Sequence, residues 1–384
     1  MVQPTSTTPR LDPSALVAAL TGAVEEHGGA MERERRMPPA LAEALRAAGA
    51  FRIFTPRELG GHEAPLVAAV EALEALGRLD AAVAWNVWNG NMGFSAALLP
   101  ESGARAIWGD ASRDPIVVNS ARPAGVATSV DGGFSLSGRW DIVSGVDVAD
   151  HVALFALVDP APGGPPDVRV FFVPKADVRV LDTWKVHALR GTGSNTVVAE
   201  AVRVPADRAV SPFAPARIDR PLYRIPAFTL ASTGVAGVVL GVAQAALGAA
   251  TELARGKVSD GTLLADRADV QTTLGRSRAA LGAARALLRE AAGAVDAAAV
   301  EGRPIGEDLR SALRAAMSHA ALTARDVLGA TYTLASSSAL YDGQPLERLF
   351  RDGNAAVQHA LLHAAHFATY GRLLLGKPAG VPIL

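Results

Sequence analysis

The sequence predicts an α+β protein in which helices, then strands, then helices follow one another in blocks. Three observations predict it. Apolar residues recur at helical spacing up to Trp108 and again after Pro226. Between Ile116 and Val204 the period shortens to two and is broken by Gly/Pro turns. No βαβ alternation, Rossmann fingerprint or Walker motif occurs, so neither a doubly wound sheet nor a resident nicotinamide nucleotide is expected.

The first block opens with a helix over Leu11 to His27, carried by Leu16, Ala19, Leu20, Ala23 and Val24. Pro38-Pro39 starts a second helix, Ala40 to Ala48, which Gly49 stops. Phe51 to Pro56 reads as an extended connector. Pro65 to Leu79 is amphipathic, with Val67, Val70, Leu73 and Leu76 on one side.

The middle block gives strands at Ile116–Asn119, His151–Val158, Val168–Val173, Val178–Trp184 and Asn195–Val204, with a turn through Pro160–Pro166. Asp131-Gly132-Gly133 lies between the alternating runs Val126–Val130 and Phe134–Ser137, a hairpin signal. Several short strands with regular turns predict a small β-barrel or sandwich. In the last block, Pro226 to Leu253 and three further apolar stripes predict an up-down four-helix bundle. The stripes run through Val270–Val295, Leu309–Leu328 and Leu346–Phe367. The segments are therefore a disordered lead over 1–13, a helical domain over 14–114, a β-domain over 115–212 and a helical bundle over 213–384.

At 384 residues the chain is long enough for two or three domains and a large core. Its 37 Lys and Arg nearly balance 38 Asp and Glu, which favours neither nucleic acid nor an anionic membrane as partner. The absence of Cys excludes disulfides, thiolate zinc sites and Cys nucleophiles. Met1 to Pro13 is polar and lacks an apolar core, so it reads as a lead and not a signal peptide; a cytoplasmic protein is expected. Ile225 to Thr251 carries no charge and is long enough to cross a bilayer. Its Gly234, Gly237, Gly241 and Gly248 instead suit close helix–helix contact, so a buried bundle helix is expected and no membrane span.

Two stretches bear chemistry. Gly138-Arg139-Trp140-Asp141-Ile142-Val143-Ser144-Gly145 ends a strand on a hydroxyl and bare backbone. Leu189-Arg190-Gly191-Thr192-Gly193-Ser194 is a Gly/Thr/Ser loop with one fixed cation. As residues alone these are turns, and Asn119-Ser120 is a strand terminator. His359, His363 and His366 recur at i, i+4, i+7, as if on one helix face, but no carboxylate follows Asp352 on that helix, so no metal site is expected.

Together these stretches resemble the acyl-CoA dehydrogenase superfamily, and more closely its two-component flavin-dependent monooxygenases. The order Pro56-Arg57-Glu58-Leu59-Gly60-Gly61, helix, Asp80-Ala81-Ala82-Val83-Ala84-Trp85 is similar to the N-terminal helical domain of the same superfamily. The resemblance implies a helical domain, a central β-barrel and a four-helix bundle. It implies that Ser144 lies at the flavin N5 edge and, with His359, is catalytic. It further implies flavin contacts from Trp140, Gly145, Asn119, Ser120, Arg190, Thr192, Gly193, Ser194, Arg351 and Gln358, and a substrate pocket at Trp88, Asn91 and Met92.

His359 stands where thioester dehydrogenases carry a glutamate base, and no Glu follows Glu347. A histidine that titrates near pH 7 suits handling activated oxygen. Asn91 departs from relatives with a histidine in that region. Arg255-Gly256-Lys257 lacks the Phe-Gly of an FAD pyrophosphate site, which favours a flavin that arrives reduced and leaves oxidised. The implied function is the oxygenase component of a two-component monooxygenase. Reduced FMN or FAD from an NAD(P)H-flavin reductase would diffuse into a cleft between β-domain and bundle, form a C4a-(hydro)peroxyflavin and oxygenate a small organic substrate. A homotetramer is implied, with the Gly-rich helix at the subunit contact. The alternatives are an FAD-dependent acyl-CoA dehydrogenase and a non-catalytic flavin-binding homologue.

Overall fold

The structure, a computed structural model, describes residues 11–110, 113–158, 167–341 and 343–380. The first ten residues of the predicted lead and the Pro160–Pro166 turn lie outside them. The last three residues of that lead are not disordered. Leu11 is buried, Asp12 caps the first helix by accepting the Ser14 and Ala15 N–H groups, and Pro13 takes the first helical position.

The helices that follow are α1 (Pro13–Glu34), α2 (Pro39–Ala47), α3 (Leu66–Leu79), α4 (Ala81–Asn89) and α5 (Glu101–Trp108). The strands are β1 (Val117–Val130), β2 (Gly133–Val143), β3 (His151–Val158), β4 (Asp167–Pro174), β5 (Arg179–Leu181), β6 (Asn195–Pro205) and β7 (Ala209–Val210). Helices α6 (Pro221–Arg224) and α7 (Ala227–Gly256) come next, then a two-residue hairpin, β8 (Val258–Ser259) with β9 (Thr262–Leu263). The chain closes with α8 (Ala268–Glu301), α9 (Glu307–Ala335), α10 (Pro345–Ala356) and α11 (Ala365–Leu374).

These elements cluster into two compact units. The first comprises residues up to Pro65, Trp85–Val186 and Arg190–Ala231; the second comprises Leu66–Ala84, His187–Leu189 and the chain from Ser232 onward.

In the first unit the seven strands form one sheet in the order β5-β6-β2-β1-β3-β4-β7. The predicted barrel does not close: β5 and β7 stand at opposite ends of this order, and at three and two residues they are too short for a closing ladder. The predicted hairpin is present, β1 running antiparallel to β2 around Asp131-Gly132 with Val130 opposite Gly133. Val117–Asn119 and Val126–Val130 belong to a single strand, which Ile116 precedes, bent where its register with β3 slips between Ser120 and Gly125. Pro123 lies in that bend, where a missing N–H costs no ladder bond.

Trp140 fills the sheet's core. Its ring lies across two glycines: a Cβ on Gly125 would meet it at 2.3 Å, and one on Gly138 at 2.6 Å. Its indole N–H donates to Phe155 O at 2.8 Å.

A buried ion network ties the N-terminal helices to the start of this sheet. Arg52 pairs with Asp114 at 3.2 Å, and Asp114 accepts the Phe51 N–H at 2.9 Å. Arg46 pairs with Asp150 at 2.6 Å, and Asp150 accepts the Ile116 N–H at 2.9 Å. Burial pushes the Asp114 carboxyl up to about 7, against the pull of Arg52, the Phe51 N–H and Arg46.

In the second unit, α7 is long and apolar enough to cross a membrane, yet 83% of its most apolar window is buried inside the protein. Its glycines face α3 of the same chain. A Cβ on Gly237 would lie 2.4 Å from Val70 O, one on Gly241 2.1 Å from Glu74 O, and one on Gly77 2.5 Å from Val238 O. This close backbone approach is what the small residues permit. The Gly237–Gly241 face is thus occupied within the chain and does not serve as the expected subunit contact.

The predicted fourth long helix is broken. Helix α10 ends at Ala356, His359 is extended, a 3-10 turn covers Ala360–Leu362, and α11 begins at Ala365. At the break two imidazoles take backbone donors that a helix would have used: His359 Nδ1 accepts the Leu361 N–H and His363 Nδ1 the Ala365 N–H. The three histidines therefore do not share a helix face.

Candidate active site

The site forms where β2 stops. The ladder to β6 is irregular between Trp140 and Val143, and inside that irregularity Ile142 has φ 60°. A β-branched residue rarely adopts this conformation; it is held by the bulge, a device that re-aims the chain. Ser144 follows, 4% exposed, and then Gly145 with φ 78°. The Gly145 N–H donates to Thr192 O at 2.7 Å, joining the strand end to the Gly191–Ser194 loop. A side chain at 145 would be strained, and its Cβ would stand 3.2 Å from Asn86 Oδ1.

Three hydroxyls line up across this junction. Ser144 Oγ is 2.8 Å from Ser194 Oγ, which is 2.7 Å from Thr192 Oγ1, and all three residues are buried. Residues of α4 close over them. Trp85 Nε1 donates to Ser144 Oγ at 3.2 Å, and Asn89 Nδ2 donates to Ser144 O at 2.7 Å. Asn86 Nδ2 donates to Gly191 O at 3.1 Å, so one helix face holds both loops. Asn119, half-buried on β1, donates to Asn89 O and Oδ1 at 3.0 Å. Behind the loop, Asp147 accepts from Asn195 at 3.1 Å and pairs with Arg36 at 3.6 Å. Burial pushes the Asp147 carboxyl up, opposed by Arg36, Lys175 and Asn195.

The donor set at Ser144 is neutral, and each hydroxyl either donates or accepts. It fits the edge of a flavin ring, whose nitrogens and carbonyl oxygens are neutral donors and acceptors. It does not offer a carboxylate base.

Several expected site residues have other employment. Trp140 is 0% exposed, enclosed by Gly125, Gly138 and Phe155, and has no surface for a flavin. Arg190 is spent on packing: Nε donates to Glu32 O and Nη1 to Val186 O, each at 2.8 Å. Gly193 is small because Asp147 needs the space, a Cβ there lying 2.5 Å from Asp147 Oδ2. Asn91 is buried and structural. Its Oδ1 accepts the Ile53 N–H at 2.9 Å, and its Nδ2 donates to Ala50 O at 2.8 Å and Val87 O at 2.7 Å. Met92 is likewise buried, as is Ser120, whereas Trp88 stays half-exposed with its N–H on Ala231 O at 2.8 Å.

Trp85, Asn86 and Asn89 were not legible as site residues. Their signal was present: with Trp88, four polar-edged residues in an otherwise apolar Ala81–Asn89 helix.

In the second unit, His359 opens the 3-10 turn after α10. Burial, and then the Arg314 guanidinium, push its imidazole down to about 4, so it is neutral at pH 7. That corrects the expectation of a histidine titrating near neutrality. In the same unit Asp352 accepts the Leu189 N–H at 2.6 Å, and Arg348 spans Asp352 at 3.4 Å and Asp80 at 2.7 Å. Arg351 is engaged by Glu347 and His187 O, and Gln358 is exposed.

The chain has the acyl-CoA dehydrogenase-like fold, with helical domains on either side of a mixed sheet in the sequence. The family profile "Acyl-CoA dehydrogenase, N-terminal domain" matches residues 16–106, and "Acyl-CoA dehydrogenase, C-terminal domain" matches residues 233–364. The indole-3-acetate monooxygenase of Pseudomonas putida is 30% identical over 352 residues, 91% of this chain and 90% of that protein. The flavin-dependent monooxygenase oxygenase subunit HsaA of Rhodococcus jostii is 30% identical over 359 residues, 89% of this chain and 92% of that one. The structure of XiaF from Streptomyces sp. in complex with FADH2 and glycerol superposes with a TM-score of 0.88 at 27% identity, covering 97% of this chain and 98% of that one. The chain belongs to the flavin-dependent monooxygenase oxygenase components of the acyl-CoA dehydrogenase superfamily. Its cofactor is a flavin, and its relatives favour an oxygenase over an acyl-CoA dehydrogenase.

Proposed function

We propose that this chain takes reduced FMN or FAD from a separate NAD(P)H-flavin reductase and inserts one oxygen atom of O2 into a small aromatic molecule. The observation that carries the reading is the buried, uncharged hydroxyl row ending at Ser144. When bound, the reduced flavin supplies the two electrons that activate O2.

Ser144 holds the flavin edge by a hydrogen bond, and its burial keeps bulk water from that bond. Gly145 lets the backbone turn without a side chain in the way. His359 is assigned a catalytic role from the Arg351-Asp352…His359 pattern; as a neutral imidazole it both accepts and donates a hydrogen bond, without adding a charge.

Three facts support an aromatic substrate. Relatives bear names such as indole-3-acetate monooxygenase and resorcinol hydroxylase. Trp88 is half-exposed beside Trp85 in the first unit. Phe213 and Phe228 lie with their ring centres 5.8 Å apart, tilted by 33°, in the same unit, and Phe213 is exposed. A cytoplasmic homotetramer is part of the proposal, from the family resemblance.

The test is an anaerobic titration of the purified protein with oxidised and reduced FMN and FAD. The reading expects the reduced form to bind at least about tenfold more tightly, a difference of ~1.4 kcal/mol. Copurifying oxidised FAD that an acyl thioester bleaches would overturn it in favour of a dehydrogenase.

A further inference from the structure

We propose that the break between α10 and α11 is a proton-operated joint: His359 and His363 cap the two turns that follow them, and protonation of these rings in mild acid opens the joint and releases α11.

The two histidines do the same work at i and i+4. Each is extended, His359 with φ −61° and ψ 135°, His363 with φ −68° and ψ 139°. His359 Nδ1 accepts the Leu361 N–H at 3.3 Å and its carbonyl the Leu362 N–H at 2.9 Å, which starts the 3-10 turn Ala360–Leu362. His363 Nδ1 accepts the Ala365 N–H at 3.1 Å and its carbonyl the His366 N–H at 3.2 Å, which starts α11.

Caps of this kind are ordinarily built from Asp, Asn, Ser or Thr, whose oxygens stay acceptors down to about pH 4. An imidazole nitrogen differs. Nδ1 accepts only while it carries no proton, so the neutral ring holds its proton on Nε2. Protonation turns Nδ1 into a donor that faces another donor, the backbone N–H, and the cap is lost.

The segment beyond the joint is lightly held. None of the ten residues of α11 is buried, and Phe367 and Leu374 on it are exposed. The turn itself is pinned by Leu362, which is buried, and by the Ser318 hydroxyl of α9, which donates to His363 O at 3.0 Å. His366 is a brace and not a sensor. Its Nε2 donates to Ala360 O at 3.3 Å, and protonation at Nδ1 leaves that bond in place.

Burial holds His359 in its accepting form, and the Arg314 guanidinium of α9, itself repelled by Arg310, adds to this; the ring is pushed down to about 4. His366 is lowered too, by burial, Arg314 and His363, against the Ala360 bond. The closed value of His359 lies below its ordinary one, so closure is complete above 6.5 and is lost as pH falls towards 4. Going from pH 7 to pH 5 therefore raises the open fraction about twentyfold through His359 alone.

The experiment is amide hydrogen exchange of the full chain at pH 7 and pH 5, read by mass spectrometry. Rates are expressed as protection factors, which remove the pH dependence of the exchange chemistry itself. Peptides covering 357–375 are compared with peptides of α9. In wild type, protection over 357–375 is expected to fall about twentyfold at pH 5 while α9 changes by less than about threefold. His359→Asn keeps an acceptor oxygen that does not titrate in this range, and its protection at the two pH values is expected to agree within about threefold. His359→Leu has no acceptor, and its protection over 357–375 is expected to be low at both. Should the asparagine variant not fold, as judged by melting at pH 7, His359→Gln takes its place, since any residue that does not titrate removes the pH dependence.

Equal wild-type protection over 357–375 at the two pH values would overturn the joint. So would a fall of the same size in His359→Asn, or one shared by α9.

Discussion

Ser144 is the residue proposed to meet the flavin, and its neighbours fix where its hydroxyl stands. Its carbonyl is fixed by Asn89 and its oxygen by Trp85, so its direction is set by a helix and not by a mobile loop. Ser144→Ala is expected to lower product formed per flavin oxidised by at least about tenfold, one hydrogen bond's worth. The lost electrons should be recovered as hydrogen peroxide, so parallel assays of product and peroxide check it. His359 gives a pH prediction. Its folded-state value, about 4, lies below its ordinary 6.5, so the contribution of its neutral form is complete above 6.5 and is lost as pH falls towards 4. His359→Gln should therefore show a smaller drop in melting temperature between pH 7 and pH 5 than wild type. Ser144 and Ser194 stand out in the sequence only through the family resemblance, because as residues alone both read as turns. Trp85 does not stand out, because a tryptophan on an apolar helix reads as core until its N–H is seen to have a hydroxyl partner. Trp140 misled for the opposite reason: proximity in sequence to Ser144 said nothing of which face of β2 it occupies.

The elements that could be read from sequence are those with local punctuation. Pro38-Pro39 starts α2, and Asp131-Gly132 turns β1 into β2, because proline and glycine act on their own backbone angles. The break between α10 and α11 carries no glycine or proline; it depends on two histidine rings competing for backbone N–H groups, together with the Ser318 hydroxyl on His363 O at 3.0 Å. The open sheet was equally illegible, because closure depends on pairing between distant strands. Two element-scale predictions follow from packing. Gly241→Ala should destabilise the protein by ~1–3 kcal/mol through the clash with Glu74 O, less the ~1 kcal/mol of improved helix propensity. Thermal melting of the purified variant checks this. Asp114→Asn replaces one of the oxygens that face Arg52 and the Phe51 N–H and should cost ~1–3 kcal/mol. Because burial raises the Asp114 carboxyl from 3.8 to about 7, its folded form holds a proton that the unfolded chain releases, and stability falls as pH rises from 4 to 7. The variant should lose that part of the slope, which melting curves between pH 5 and pH 8 will show.

At the scale of the whole chain, the order of helices, strands and helices was plain, since a change of hydrophobic period is visible over tens of residues. The absence of a glutamate after Glu347 speaks for an oxygenase over a dehydrogenase from the sequence alone, and the relatives agree. Substrate identity was not legible, because a pocket is lined by side chains from separate stretches of the chain. The central claim is that this protein directs oxygen into an organic molecule. Its most direct test supplies the protein with a flavin reductase, NADH, FMN or FAD and 18O-labelled O2 over a panel of phenols and indoles, and weighs the products by mass spectrometry. The account predicts a product heavier by one labelled oxygen atom, with less than stoichiometric peroxide. Complete recovery of the electrons as hydrogen peroxide, with no labelled product from any compound in the panel, would contradict it.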